Sequence, residues 1–258
     1  MADELFEKYR KKLDKLNLKT IDDLENLVKP LIKEATLIIT KKSSKIPKDT
    51  ALTSHFGGQP YFEKGEKWPT SQDGNSLEFV FQIFNECNIN LPDNIKLIQF
   101  YYDFEKCPWG TSDEGWLIKI YANIDKDNIV TIEKPKELSQ VKYCEIKYET
   151  IRSLPDWDGI ESYDENASML SCVLDEDEPW KNYQNVVKKL IGEQDNKSQL
   201  GGYACWIQGE DKPEDKDFHL LFQIDSSDDA EFMWGDSGQI YVFYNPQNKK
   251  IEFTLQCY

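Results

Sequence analysis

Two stretches of this chain repeat one plan, and the repetition limits the folds that the chain can adopt. In residues 218–244, FHLLFQIDSSDDAEFMWGDSGQIYVFY, two apolar runs of strand length flank an acidic loop and a tight Trp-Gly-Asp-Ser-Gly turn. Residues 77–102 follow the same order, with LEFVFQI, a polar insert and IKLIQFYY. Short runs rich in Ile, Val and aromatic residues favour strands. We therefore expect two sheet units of similar construction.

Shorter matches at nearly constant spacing extend this repeat. The matched segments, separated by 141 to 144 residues, are Phe56-Gly57-Gly58 with Leu200-Gly201-Gly202, Phe81-Gln82-Ile83 with Phe222-Gln223-Ile224, and Phe100-Tyr101 with Phe243-Tyr244. They indicate an internal duplication. Each unit would hold a Gly-Gly loop, two strands around an insert, and a return strand at 116–121 or 250–256. Glycine in these loops permits positive φ and close packing on the sheet.

Helical patterns lie outside the repeated stretches. Apolar residues at helical spacing predict a helix over 3–16 and a second one from Thr20, which forms a capping pair with Asp23. Pro30 should end that second helix, and Pro179 and Gly192 are placed as the start and cap of a third. Residues 153–179 hold nine acids and no Lys or Arg, which predicts a partly disordered acidic connection.

The predicted fold class is α+β and β-rich, with internally duplicated sheet units, N-terminal helices and one helix before the second copy. The first unit should also contain a hairpin over 116–133 and a strand over 141–150. We expect one compact domain with these divisions: 1–33, N-terminal helices; 34–150, first sheet unit; 151–192, acidic connection and helix; 193–258, second sheet unit.

The charge restricts the partners of the chain. The net charge is −16, from 47 acidic and 31 basic residues. Such a surface repels phosphate, so we expect no nucleic-acid binding and no binding to anionic membranes, whereas a basic protein or a cation is attracted. No apolar run is long enough to span a membrane, and the first residues are charged and amphipathic rather than a leader. We expect a cytoplasmic protein with free thiols.

One motif resembles a catalytic one. Gly235-Asp236-Ser237-Gly238 is similar to the nucleophile turn of trypsin-like serine proteases, and His55 and Asp103 fall in the matching chain order. However, Gln239 follows where a further glycine is needed, and the N-terminal helices do not suit that fold. The preferred interpretation is a tight turn. We therefore predict no catalytic residues and no cofactor.

The candidate binding residues form two groups. The first is the acidic loop with its turn, where a weak Ca²⁺ site is an alternative to a solvated loop, although the spacing completes no EF-hand and we predict no metal. The second consists of polar residues in or beside apolar strands, which either bond neighbouring loops or bind a ligand. The candidates are Asp225, Asp228, Asp229, Glu231, Trp234 and Asp236 in the first group, and His55, Gln82 and Gln223 in the second.

Several of these elements together resemble the YwqG-like family of mostly bacterial proteins of unknown function. They are Ser54-x-Phe-Gly-Gly-x-Pro60, Trp68-Pro69, the two Phe-Gln-Ile strands, and Trp234-Gly235-Asp236-x-Gly238 before an aromatic strand. The resemblance covers residues 37–258. It implies an α+β fold and a cytoplasmic protein, and it carries no catalytic residues. Some similar members lie beside polymorphic toxin genes, so the resemblance implies an immunity-like role.

Two functions follow as hypotheses. The first is a non-catalytic acidic binding protein, of immunity or antitoxin type, that docks on a basic, toxin-like protein. The second is an enzyme or small-ligand-binding protein with a cleft between the repeat units, lined by His55, Gln82 and Gln223. A concave site at these residues would favour the second hypothesis.

Overall fold

The structure is a computed structural model that describes residues 2–43, 45–47, 49–85, 89–193 and 197–258. Within these ranges the helices are α1 (Ala2–Leu16), α2 (Ile21–Val28), α3 (Ile160–Tyr163), α4 (Glu165–Leu174) and α5 (Pro179–Ile191). The strands are β1 (Lys33–Lys42), β2 (His55–Phe56), β3 (Glu78–Phe84), β4 (Leu97–Tyr102), β5 (Trp116–Tyr121), β6 (Cys144–Ser153), β7 (Gln199–Gly201), β8 (His219–Asp225), β9 (Gln239–Tyr244) and β10 (Ile251–Gln256). The fold is α+β and β-rich, as predicted.

All ten strands belong to one antiparallel sheet with the order β10-β9-β8-β7-β1-β6-β2-β3-β4-β5. The long central pair, β1 and β6, is in register from Lys33–Ser153 to Lys42–Cys144. Four strands lie on each side of this pair. β1 contacts β7 of the later segment, and β6 contacts β2 of the earlier one. Residue 150, the predicted end of the first unit, therefore lies inside a central strand.

The core is built from aromatic side chains that meet between the two flanks of the sheet. The ring of Phe222 in β8 lies 5.2 Å from that of Phe81 in β3 and 6.3 Å from that of Phe100 in β4. At the sheet ends, Trp116 in β5 stacks on Phe253 in β10 at 5.0 Å. Because rings bury large apolar areas, these contacts are a main source of stability. The sheet curls so that its two edge strands meet over one core.

The helices form a second apolar cluster on their own. Its buried members include Leu13 of α1, Leu24 of α2, Leu170 of α4 and Val186 of α5. The predicted capping pair is confirmed, since the Thr20 side chain accepts a bond from the Asp23 amide and Asp23 accepts one from the Thr20 amide. No helix of the described residues is long and apolar enough to cross a membrane.

The predicted helix boundaries at Pro30, Pro179 and Gly192 are also confirmed. Pro30 lies in a 3₁₀ turn, Lys29–Leu31, that ends α2. Pro179 begins α5, and Gly192 follows it with φ +87°.

Two local predictions are wrong. The acidic connection is not a disordered link: it folds as α3 and α4, so three helices rather than one precede the second group of strands. Its apolar residues, including Ile160 and Leu170, are buried in the helical cluster, which explains why the segment folds despite its acids. The hairpin over 116–133 is also absent, because Val130 and Ile132 pack on the Phe62 and Trp68 cluster without pairing with β5.

Candidate functional site

Gln82 in β3 binds backbone groups of two loops. Its Oε1 accepts a hydrogen bond from the Tyr61 amide at 2.9 Å. Its Nε2 lies 2.8 to 3.1 Å from the carbonyl oxygens of Thr50, Ala51 and Thr53. The side chain is fully buried. Every polar atom of this amide is therefore engaged with the chain itself, as buried amides require.

Gln223 in β8 has a matching arrangement. Its Oε1 accepts from the Cys205 amide at 3.0 Å, and its Nε2 donates to the Lys197 carbonyl at 2.7 Å. Its cross-strand neighbour Gln199 donates to the carbonyls of Gly201 and Tyr203, each at 3.0 Å. These buried amides fasten the second Gly-Gly loop.

His55 in β2 pairs across the strands with Gln82, so the structure brings two of the predicted residues together. Its Nδ1 lies 2.6 Å from the Gly57 carbonyl oxygen. Because a carbonyl only accepts, Nδ1 carries the proton. Burial lowers the pKa of His55 to about 4, against the opposing effect of that carbonyl. The imidazole is therefore neutral at pH 7, enclosed by Phe79, Tyr143 and the Gly58 loop. Gln223 lies on the opposite flank of the sheet.

The protease-like constellation is not assembled. Ser237 is exposed, and its hydroxyl contacts the Met233 sulfur at 3.8 Å. Asp103 accepts bonds from the amides of Glu105 and Lys106. His55 is buried beside Gly57 in the first flank. The sequence Gly-Asp-Ser-Gly is thus a turn in which Gly235 has φ +52°.

The acidic loop is fixed on the central strands. Thr40 of β1 donates to the Asp229 carboxylate at 2.9 Å, and Lys42 donates to Glu231 at 3.0 Å. The Lys142 amide donates to the Ala230 carbonyl at 2.8 Å. Among the described residues, no group of three His, Cys, Asp or Glu side chains is arranged to hold a metal ion. Each bonded acid serves a different neighbour.

The remaining loop acids differ in exposure. Asp225 at the end of β8 is half-buried, and burial raises its pKa against the effect of the Ser226 amide. Asp228 and Asp236 are exposed. These two carboxylates and that of exposed Glu231 are loop acids that a partner can reach.

Trp234 does not present a binding surface. Its side chain is completely buried, with the ring 4.9 Å from that of Tyr102 and stacked on Phe104 at 5.4 Å. The expectation that Trp234 contacts a partner is therefore wrong, because its indole ring is buried in the core between the flanks.

Exposed apolar side chains instead surround the turn that follows Trp234. Trp109, Met233 and Tyr258 are 45%, 52% and 74% exposed. A side-chain carbon at Gly235 would lie 3.7 Å from the Trp109 ring, and the Tyr258 amide donates to the Asp236 carbonyl at 3.1 Å. We call the surface formed by Trp109, Met233, Asp236 and Tyr258 the turn surface. It combines three large apolar groups with an acid.

The backbone holds the turn surface in place. The Trp109 carbonyl accepts from the Leu255 amide at 2.8 Å, which attaches the loop to β10. The Asp113 carboxylate accepts from the amides of Trp109 and Gly110 at 2.8 and 2.9 Å. Asp113 and Glu114 are both exposed, so they add negative charge to the rim. Hydrogen bonds thus hold the backbone beneath Trp109, and acids lie beside it.

The comparison with family models decides the family. A model described as a domain of unknown function, DUF1963, matches residues 54–254. This chain belongs to the DUF1963 family. A search of the curated proteins finds no match. The DUF1963 region contains both flanks of the sheet but begins after β1.

The DUF1963 region also contains Trp109, Met233 and Asp236, which sequence reasoning used only in part. Among these, Asp236 is a predicted site residue, whereas Trp109 and Met233 were missed. A single exposed apolar residue gives no sequence signal, since many occur on any surface. The nearest signal is Pro108 before Trp109, which indicates a loop rather than a strand.

Proposed function

We propose that this DUF1963 protein is a non-catalytic binding protein that docks its turn surface on a basic protein, in the manner of an immunity protein or antitoxin. The observation that carries the proposal is that exposed Trp109 lies close to the Gly235 turn, which also holds exposed Met233 and binds the backbone of exposed Tyr258. Buried aromatic anchors dominate binding energy at protein interfaces. An apolar centre of this kind, with a fixed backbone, favours a protein partner.

Charge supports a basic partner. The net charge of −16 attracts a cationic protein over long range and accelerates its association. Asp113, Glu114, Asp228, Glu231 and Asp236 place exposed carboxylates on the turn surface and the neighbouring loops. Such a rim selects partners with Lys or Arg around an apolar patch. The basic surface of a toxin that binds nucleic acid has this chemistry.

The alternative of a cleft at His55, Gln82 and Gln223 has less support. All three side chains are fully buried, and the two amides are bonded to loop backbone. A ligand would have to break those bonds and leave buried polar groups unpaired, which is costly. This burial favours a structural role for the three residues and hence the binding function.

The experiment is site-specific crosslinking in the native host. A photoreactive amino acid at position 109 or 233 should capture one basic protein. The same reagent at Leu16, which is 50% exposed on α1, is the matched control. The proposal fails if positions 109 and 233 give no adduct, or only adducts that position 16 also gives.

The captured partner allows a charge test. Asp236→Lys should slow association at low salt by about tenfold, because it reverses a charge inside the contact. Glu133→Lys makes the same change in total charge at an exposed position outside the turn surface. The residue before it, Ile132, packs on the Phe62 and Trp68 cluster. We expect less than a twofold effect there. Equal effects of both variants would mean that only total charge matters and that the turn surface is not the interface.

We also infer that the two flanks descend from a duplicated unit. Register shifts occur between Phe79 and Phe81 in one flank and between Leu220 and Phe222 in the other. Gly57, Gly58, Gly201 and Gly202 all have positive φ, from +55° to +75°. These parallels in matched positions support the proposal.

The finer assignment to the YwqG-like group, and a cytoplasmic location, are part of the same proposal. The region that matches the family model, 54–254, falls within the 37–258 region that carries the resemblance. Four described cysteines, at positions 107, 144, 172 and 257, form no disulfide, which agrees with a reducing compartment. Cys87 lies outside the described residues.

A further inference from the structure

A cavity of about 620 Å³ lies where the start of β1, the end of β7 and α3 meet the loop before β8. This volume is within the range of small-molecule pockets. The residues that line it include Lys33, Tyr163, Gly202, Glu210, Lys212 and Phe243. No lining residue belongs to the turn surface, so the cavity is a separate feature of the molecule.

Lys33 is a cation of this cavity whose ammonium lies over aromatic rings and not beside a carboxylate. Its Nζ lies 4.2 Å from the centre of the Tyr203 ring and 5.8 Å from that of Tyr163. Within the described part of the chain, no carboxylate lies within 4 Å of this Nζ. Burial and the nearby Lys212 lower the pKa of Lys33. The ring faces compensate the ammonium only in part, since a cation–π contact is weaker than a charge-assisted hydrogen bond.

The acids around the cavity are already engaged or exposed. Glu210 pairs with Lys212 at 3.1 Å and also accepts a hydrogen bond from the Ser162 hydroxyl. Asp215 accepts from the Asn245 amide at 3.2 Å. Glu214 and Lys216 are exposed and offset each other in charge. The three lysines and three acids of the lining offset each other in total, and Lys33 is the exposed lysine whose ammonium lies over two tyrosine rings.

The walls suit a flat apolar group. Phe218, Leu220 and Phe243 contribute apolar side chains, and Tyr163 contributes a ring that packs edge to face with Tyr203 and has the Lys212 ammonium 4.0 Å from its centre. The Tyr203 hydroxyl donates to the Leu31 carbonyl at 2.7 Å, which fixes the ring beneath Lys33. At Gly202, φ is +71° and an added side-chain carbon would lie 2.8 Å from Ala35 and Ser153. Because Gly202 has no side chain, the backbone can pack closely beside the cavity.

We propose that this cavity binds a small planar organic acid, with its anionic group on the Lys33 ammonium and its flat body against Tyr163 and Phe243. The anionic group pairs with this ammonium, and the rings bury the apolar part. The overall charge of −16 opposes any anion, so selectivity rests on this one position. The partner interface on the turn surface is not required for this binding.

Two fluorescent probes that share their rings test the proposal. 1-Anilinonaphthalene-8-sulfonate carries an anionic group, and N-phenyl-1-naphthylamine has the same rings without it. The wild-type protein should bind the sulfonate at one site, and Lys33→Met should weaken that binding about tenfold or more, since a charged hydrogen bond is lost. Binding of the neutral probe should change less than twofold, because the methionine keeps the apolar stem.

Three matched variants complete the design. Lys33→Arg keeps the charge and should retain sulfonate binding within about threefold, which separates charge from folding damage. Lys216→Met removes an exposed charge at the rim and should have little effect. The double variant Trp109→Ser, Met233→Ser should bind the sulfonate as the wild type does. The proposal is overturned if the wild type does not bind at about 1 mM probe, if Lys33→Met binds equally well, or if the double variant abolishes binding.

Discussion

At the residue scale, Asp156 is the side chain whose protonation should matter most near neutral pH. Its carboxylate oxygens accept hydrogen bonds from the amides of Gly159 and Trp206, which join the loop after β6 to the loop after β7. Burial raises its pKa to about 7 despite these two donors, and the negative Asp158 and Glu210 add to the rise. The folded chain therefore holds a proton, between about pH 4 and 7, that the unfolded chain releases. The stability that protonated Asp156 contributes to the fold is therefore lost as the pH rises from about 4 through 7.

Comparison with Asp156→Asn should isolate this effect. A pKa of about 7 against an ordinary 3.8 corresponds to roughly 4 kcal/mol, and partial solvent access reduces it to about 2 kcal/mol. From pH 5 to pH 8 the wild type should lose about 1 kcal/mol of stability relative to the variant, measured by urea unfolding, because about two of the three pKa units of the shift lie above pH 5. His55 has a lowered pKa and acts in the opposite direction, with stability rising between about pH 4 and 6.5, but it contributes equally to both proteins. A difference that stays constant with pH would contradict the prediction.

At the element scale, the strand glutamines should set the order of the loops. Gln82→Leu leaves the Tyr61 amide and three carbonyls of residues 50, 51 and 53 without this partner. We expect a cost of about 3 kcal/mol and faster hydrogen exchange in 50–61. Gln223→Leu removes one hydrogen-bond partner from the Cys205 amide and one from the Lys197 carbonyl, so about 2 kcal/mol is expected.

Gln72→Leu, at an exposed position, is the control and should change the stability by less than about 0.5 kcal/mol. Unchanged exchange in 50–61 of Gln82→Leu would show that other contacts hold that loop.

Local sequence patterns predict which segments form strands, but they do not predict which strands pair. The runs at 78–84 and 219–225 are strands, as their largely apolar composition with aromatic and β-branched residues predicts, and most of their residues are buried in the sheet. Alternation says which face a residue takes, but nothing in 33–42 says that it pairs with 144–153. The cavity at Lys33 was missed for the same reason. Tyr163, Lys212 and Phe243 reach Lys33 only through the tertiary fold.

The same limit explains two other errors. The many acids in 153–178 led to the prediction of a partly disordered connection, although α4 has a stripe of buried residues. Charge composition outweighs a short apolar pattern in a sequence prediction. The prediction of an interface residue at Trp234 treated aromatic type as exposure. Burial depends on Tyr102 and Phe104, which lie more than a hundred residues earlier.

At the scale of the whole molecule, the aromatic core should make the two flanks of the sheet unfold together. Phe222 of one flank contacts Phe81 and Phe100 of the other, and all three are fully buried. The central strands also join the flanks, because β1 pairs with β7 of the later segment and β6 pairs with β2 of the earlier one. Neither flank keeps its apolar face covered without the other, so partial unfolding of one flank exposes the core of both.

Phe222→Ala tests this coupling. Removing the ring leaves a cavity and should cost about 4 kcal/mol. Because the cavity adjoins both flanks, amide exchange should accelerate in β4 as well as in β9, and urea unfolding should keep one transition. Leu170→Ala, in the separate helical cluster, provides the comparison with a cost of about 3 kcal/mol. If Phe222→Ala leaves the β3–β5 amides protected while β8–β10 exchange, the flanks are independent units, and the shared core does not couple them.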